Sequence, residues 1–302
     1  MIRNIVRYLR LSIEIAQHPL HRERPLRSVL TYYRWLASAL LSPTRSIAIP
    51  YIENSVLQWT DASGSVLISA RYGLGEMNDM AFCLHLLRPD DLFCDIGANA
   101  GTYTILATCG PRCRVVSIEP VPSTFNLLMQ NVYANDVSHL VDARRIGIAD
   151  LPGTLHFTSE LKSYNHVTTD SSASTIDVPV STIDQQFAGS VPDLIKIDVE
   201  GFEASVLRGA KATLSNSKLL AVIIEIAEEH LSRYGSSTKD IHDELCAVGL
   251  EGPYWYDPYT RSLHAAGTPK ERQFNQIFIR NMDLVGERLR TSAKYRIHGS
   301  SI

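Results

Sequence analysis

Residues 91–104 read DLFCDIGANAGTYT, and the interpretation of the rest of the chain depends on them. A short apolar run of strand character ends at Asp95. Gly97 and Gly101 bracket Asn99, and the residues after them have helical character. Strand, glycine turn and helix in that order open an α/β nucleotide-binding unit. A dinucleotide fingerprint would read GxGxxG, with the helix N-terminus facing a pyrophosphate. Here the order is GxNxG. This spacing suits a ligand without phosphates, and S-adenosylmethionine fits: it carries an amino acid, a sulfonium, a ribose and an adenine. Asp95 is placed to order the loop and to meet the cationic amino group, directly or through water. The next strand-like run, RVVSIEP, ends in Glu119, 22 residues after Gly97. An acid at that distance can accept both ribose hydroxyls.

Working outward, strands are expected near 92–96, 114–119, 141–148, 193–199 and 219–226, with helices near 101–109, 122–134, 203–214 and 238–248. Late segments near 253–256 and 274–280 supply two more strands. The alternation predicts an α/β fold with a mainly parallel, seven-stranded sheet and helices on both faces. Upstream, residues 47–70 read as short strands with a turn at Asp61 to Gly64, followed by a helix near 76–87. Residues 159–175 are polar and rich in Ser and Thr, as in a mobile loop. The domains expected are a basic helical extension over 1–45, a main domain over 46–280 and a loosely held tail over 281–302.

Further motifs reach beyond one loop. DIGANAGTYT, IEPVPSTFNLLMQN, VSTID, DLIKIDVEGFEASVLRGA and AVIIEI follow one another between residues 95 and 226. In order and spacing they resemble the FkbM-type methyltransferases. The resemblance covers about residues 76–230 and implies a class I Rossmann-like enzyme that uses S-adenosylmethionine and typically O-methylates sugars, polyketides and related secondary metabolites. It places Asp95, Gly97, Asn99, Gly101, Tyr103 and Glu119 along the cofactor. Glu76 matches an acid kept upstream of the loop, and Asp150 is a candidate neighbour of adenine. The first 70 residues and the end of the chain carry no family motif.

Methyl transfer to a hydroxyl needs in-line alignment, desolvation and removal of one proton. Candidates lie at the carboxyl ends of the fourth and fifth strands. Alternation in DLIKIDVEGFE puts Lys196 and Asp198 on one face. Asp198 and Glu200 are then candidates to border the methyl and the acceptor hydroxyl, with Lys196 tuning them; the alternative is an ion pair that only shapes the turn. Glu225 ends the apolar run AVIIE, where burial should raise its pKa as a general base requires. His230 follows in an EEH turn, as base, substrate contact or plain surface residue. Asp198 with Glu225 could hold Mg²⁺, but the sequence fixes no third ligand, so no metal is assigned.

Composition narrows the remaining classes. The chain has 302 residues, 45% of them hydrophobic, and a net charge of -3. Residues 1–45 hold eight arginines against Glu14 and Glu23, so the rest of the chain is acidic. Nucleic acid is therefore excluded as substrate, since no basic stripe interleaved with aromatics occurs outside the N-terminal segment. That segment reads as two amphipathic helices, about 1–16 and 26–41, which pack on the domain or a second subunit, or touch an anionic membrane face. The five cysteines form no CxxC pair and read as reduced thiols, mostly buried. No run is long enough to span a bilayer and no signal peptide is evident, so a cytoplasmic location is expected. A nicotinamide oxidoreductase would share the ribose acid but lacks GxGxxG. A catalytically silent adenosyl-binding module that docks a partner through its helices is the remaining alternative.

Overall fold

The computed structural model describes residues 2–42, 46–60, 64–158, 165–168, 174–265 and 275–302, with residues 2–5 as helical backbone only. The chain opens with α1 (Ile2–Gln17), a single 3-10 turn (Pro19–His21) and α2 (Pro25–Leu41). A hairpin of β1 (Ile47–Pro50) and β2 (Val56–Trp59) follows, then α3 (Gly64–Tyr72) and α4 (Met77–Leu86). Residues 64–72 are thus helical, where the sequence had suggested a strand. Val66, Ser69 and Ala70 are buried at helical spacing, and this inward stripe packs beneath the hairpin.

The main domain then alternates. β3 (Leu92–Ile96), α5 (Thr102–Cys109), β4 (Arg114–Ile118), α6 (Pro122–Ala134) and β5 (Val141–Arg144) form its first half. β6 (Gly147–Ile148), β7 (Gly153–Thr158) and β8 (Thr175–Ser181) form a separate small sheet in the order β6-β8-β7. The expected strand over 141–148 is therefore two strands in two sheets. After α7 (Ile183–Gln186) come β9 (Leu194–Ile197), α8 (Glu203–Arg208), α9 (Lys211–Ser215), β10 (Ala221–Glu225), α10 (Glu228–Ser232) and α11 (Thr238–Ala247). The chain closes with β11 (Glu251–Asp257), β12 (Ser262–Ala265), β13 (Asn275–Ile279), α12 (Met282–Thr291), β14 (Arg296–Ile297) and β15 (Ser300–Ser301).

The central sheet has eight strands rather than the expected seven, in the order β12-β11-β13-β10-β9-β3-β4-β5. β10, β9, β3, β4 and β5 are parallel neighbours. β13 runs against both β10 and β11. The eighth strand, β12, is a hairpin return from β11 that extends the edge. The central strands are apolar because helices cover both faces. Alternate residues feed two cores: Phe93, Val115, Leu194 and Ile223 on one side, and Cys94, Val116, Ile195 and Val222 on the other.

The last 21 residues are not loose, contrary to expectation. Val285, Leu289, Tyr295, Ile297 and Ile302 are buried in the first core, and Arg288 pairs with Asp91 at 2.5 Å. No family motif marks this segment, whose helix α12 turns Val285 and Leu289, four residues apart, into the core. Of the cysteines, Cys83, Cys94 and Cys113 are buried, Cys109 is half-buried and Cys246 is exposed, and all are free thiols. Among the described residues, no helix is long and apolar enough to cross a membrane.

Candidate active site

The parallel register assembles the site. Asp95 of β3 pairs with Ser117 of β4 on one side and with Lys196 of β9 on the other, and Lys196 pairs with Ile223 of β10. One pair further along, strand geometry brings Glu119, Gly97, Asp198 and Glu225 into the next row on the same face. Five acidic or basic groups, far apart in sequence, thus converge at the carboxyl edge of the sheet. They border a cavity of about 930 Å³, within the range of small-molecule sites.

Gly97 has φ +76, and a Cβ there would stand 1.8 Å from the carbonyl oxygen of Asp198, so only glycine lets these strand ends meet. Asn99 is also left-handed, at φ 52, a conformation asparagine tolerates better than most residues. Its side-chain oxygen accepts the Ala100 N–H at 2.7 Å, and Ser65 of α3 donates to it at 3.2 Å. Every backbone N–H from Gly97 to Gly101 is in fact spent inside the protein. Gly97 and Ala98 donate to Ile118, Asn99 to Glu119, Ala100 to the Asn99 side chain and Gly101 to Ala98. The loop therefore has no N–H cradle to offer a phosphate.

Glu119 is buried and accepts N–H groups from Asn99 at 3.0 Å and Val121 at 2.9 Å. Burial raises its pKa to about 7 against those two hydrogen bonds. Asp95, also buried, accepts from Thr104 at 2.7 Å; burial lifts it to about 6, while Lys196 and Thr104 oppose the rise. Glu76 lines the cavity and accepts from Tyr103 at 2.7 Å and from Asn275 of β13 at 2.8 Å.

At the other end, Lys196 is buried, 2.7 Å from Asp198 and 4.8 Å from the centre of the Tyr103 ring. Burial alone would lower its pKa, but the surrounding Asp198, Glu76 and Asp95 more than reverse this and raise it. The ion pair expected as one alternative therefore exists, and it lies inside the cavity. Glu225 is lifted to about 9, first by burial and then by the facing carboxylates of Asp198 and Glu200; it and Asp198 share a hydrogen bond. Glu200 sits in the left-handed region at φ 55 and is raised to about 7 by burial and by Asp198. The turn after it is pinned by Glu203, whose carboxylate accepts the Val199 and Gly201 N–H groups. His230 is not a plain surface residue. It lines the cavity with Nδ1 3.3 Å from Glu200. Ligand atoms of Glu200, Glu225 and His230 lie within 4.8 Å of one another, a candidate cation set that contains Glu225 but not Asp198, the partner expected for it from the sequence.

Two sequence candidates stand apart from the lining. Gly101, at φ +83, serves close packing on Leu128. Asp150 accepts from Ser205 at 3.1 Å and lies 3.8 Å from Arg208, which ties the turn after β6 to α8. Sequence reasoning missed Ser65 and Ile68 of α3, because that helix had been read as strand. Of the polar loop, Asn165 and Val167 line the cavity, and Val167 bridges to Phe157; residues 159–164 and 169–173 lie outside the described residues. Tyr256 of β11 is buried, with its hydroxyl 2.7 Å from His85.

A parallel sheet with a glycine turn and a row of acids at its carboxyl edge defines a Rossmann-like enzyme site. Residues 95–251, over half of the chain, match the methyltransferase FkbM domain, and the chain belongs to that family. It is 27% identical over 185 residues to the hexuronic acid methyltransferase AglP of Haloferax volcanii, spanning 60% of this chain and 75% of that protein. It is 28% identical over 201 residues to Methyltransferase 1 of Beauveria bassiana, spanning 56% and 78%. Among solved structures, the methyltransferase FkbM from Methylobacillus flagellatus KT overlaps at a TM-score of 0.45 and 18% identity, over 73% of this chain and 55% of that one.

Proposed function

We propose that the chain is an S-adenosylmethionine-dependent O-methyltransferase acting on a hydroxyl of a sugar, glycan or secondary metabolite. The observation that carries this reading is the spent set of N–H groups between Gly97 and Gly101, set beside buried acids. A loop whose own N–H groups are spent offers a pyrophosphate little, and a cavity walled by carboxylates favours a ligand with cationic and hydroxyl groups. S-adenosylmethionine has both, and Glu119 retains lone pairs for its ribose hydroxyls. When bound, the donor supplies a methyl group on a sulfonium, released as a neutral thioether once the methyl leaves.

The chain's own residues do the rest. Glu119 and Asp95 fix the orientation of the adenosyl and amino-acid ends. Tyr103, Glu76 and Lys196 form the wall between them. In the free protein, burial and the facing carboxylates keep a proton on Glu225, beside Asp198. A cation bound beside it favours loss of that proton, which leaves a carboxylate free to take the acceptor's hydroxyl proton. The family's sugar-acting relative from Haloferax volcanii is consistent with a hydroxylated acceptor.

Calorimetric titration with S-adenosylhomocysteine and, separately, NAD tests the reading. Binding of the first alone, lost in Glu119→Ala, is expected; such binding with no turnover on any hydroxylated acceptor would favour the silent-module alternative, and binding of neither would overturn the reading. Turnover that survives EDTA fits the carboxylate pair as base. Turnover lost to EDTA and restored by Mg²⁺ would assign Glu200, Glu225 and His230 to a metal instead.

A further inference from the structure

We propose that α1 and α2 form a docking surface for an anionic lipid bilayer. Eight of the fourteen exposed large hydrophobic side chains among the described residues fall in the first 41 positions. The other six are scattered singly, as on any soluble surface. Along α1, Val6, Leu9 and Ile13 are 54–60% exposed and fall within about 60° of the helix circumference. Along α2, Leu26, Leu30 and Leu41 are 64–82% exposed and share a stripe of similar width. Each helix thus presents an apolar face that the rest of the chain does not cover.

The opposite faces anchor the pair. Ile15, Leu20, Tyr32 and Ala39 are buried, Trp35 meets Trp59 edge-on at 5.4 Å, and Arg71 of α3 donates to the Tyr32 hydroxyl at 3.4 Å. Ser12 and Tyr33 join the helices to each other at 3.0 Å. The exposed stripes are therefore outer faces of a seated element.

Charge decides between a bilayer and a second copy. Arg7, Arg10, Arg22, Arg24, Arg27 and Arg34 are all exposed. At helical spacing, Arg10, which also pairs with Glu14 at 3.1 Å, edges the α1 stripe, and Arg27 and Arg34 edge the α2 stripe. A two-fold contact through these faces would set arginines against arginines. An anionic headgroup layer accepts them while its acyl region takes the leucines, the arrangement of interfacial helices. At 16 and 17 residues the helices would lie along the surface. α3, which holds α2 through Arg71, also lines the cavity through Ser65 and Ile68, so docking would present the cavity wall near the lipid.

The test is co-sedimentation of the full chain with phosphatidylcholine vesicles and with vesicles that also contain phosphatidylglycerol, at low and high salt. Binding to the anionic vesicles, weakened by salt, is expected. Arg27→Glu/Arg34→Glu and, separately, Leu30→Glu/Leu41→Glu should each lower partitioning about fivefold or more. Unchanged thermal melting of both variants establishes that they fold, since every altered side chain is exposed. Equal binding to neutral vesicles, or none to either kind, overturns the proposal. A concentration-dependent dimer abolished by the leucine variant, without vesicle binding, gives the surface to a second copy instead. The readout needs neither methyl donor nor turnover, so failure here leaves the proposed activity untouched.

Discussion

Asn99 answers the question that its position raises. It replaces the glycine of a dinucleotide loop because the loop needs a left-handed residue that also closes its own hydrogen bonds. Glycine would supply only the conformation. Gly97 is fixed by a different constraint, the approach of the Asp198 carbonyl. Glu225 carries the sharpest expectation at this scale. Its folded pKa, about 9, lies above its ordinary value, so the free protein is favoured at low pH and loses that contribution as pH rises through 9. Glu225→Gln removes a half-buried carboxylate that faces two others. The melting temperature should therefore rise by a few degrees, more at pH 8.5 than at pH 5. Turnover should fall about 100- to 10,000-fold with S-adenosylhomocysteine affinity retained. A melting gain without loss of turnover would remove Glu225 from the base role.

Among the elements, the seam between the N-terminal helices and the C-terminal hairpin holds three imidazoles, His21 buried and His18 and His298 half-buried. His18 stacks on Tyr72 at 5.1 Å, and His21 lies parallel to His298 at 6.2 Å. Burial lowers all three, His18 and His298 to about 4; His21 further lowers both of these and His298 further lowers His18, while the Ile15 carbonyl opposes the shift at His21. The unfolded chain protonates His18 and His298 near pH 6.5 and the folded chain near pH 4, so the stability they contribute is present above 6.5 and lost as pH falls towards 4. Hydrogen exchange in residues 1–42 and 296–302 should therefore be faster at pH 5 than at pH 7.5 after correction for intrinsic rates. Equal protection at both values would show that this seam does not depend on neutral histidines. Such elements were only partly legible. α1 and α2 announce themselves by amphipathic spacing and proline punctuation, whereas α3, with few polar residues to mark a face, reads as strand until its packing is seen.

For the whole molecule, the tail is the clearest case of structure overruling pattern. Residues 282–302 place five apolar side chains in the main core, each fully buried one contributing about 1.5–3 kcal/mol. A chain ended at Asn281 should be insoluble or melt many degrees lower. A truncated protein with unchanged melting would contradict that packing.

The sequence by itself determined the α/β class, the order of the central strands' chemistry and the ligand loop, because these depend on local periodicity and on residue types at strand ends. It could also place Asp95, Glu119, Lys196, Asp198 and Glu225 on the list of chemical candidates. Only the tertiary structure decided which of them meet. Parallel register sets Glu119, Gly97, Asp198 and Glu225 side by side, and the turn through Glu200 and Gly201 brings His230 to the same wall. The eighth strand, the buried tail and the role of Asp150 also required it. Each rests on contacts between segments remote in sequence, and no local pattern records such contacts.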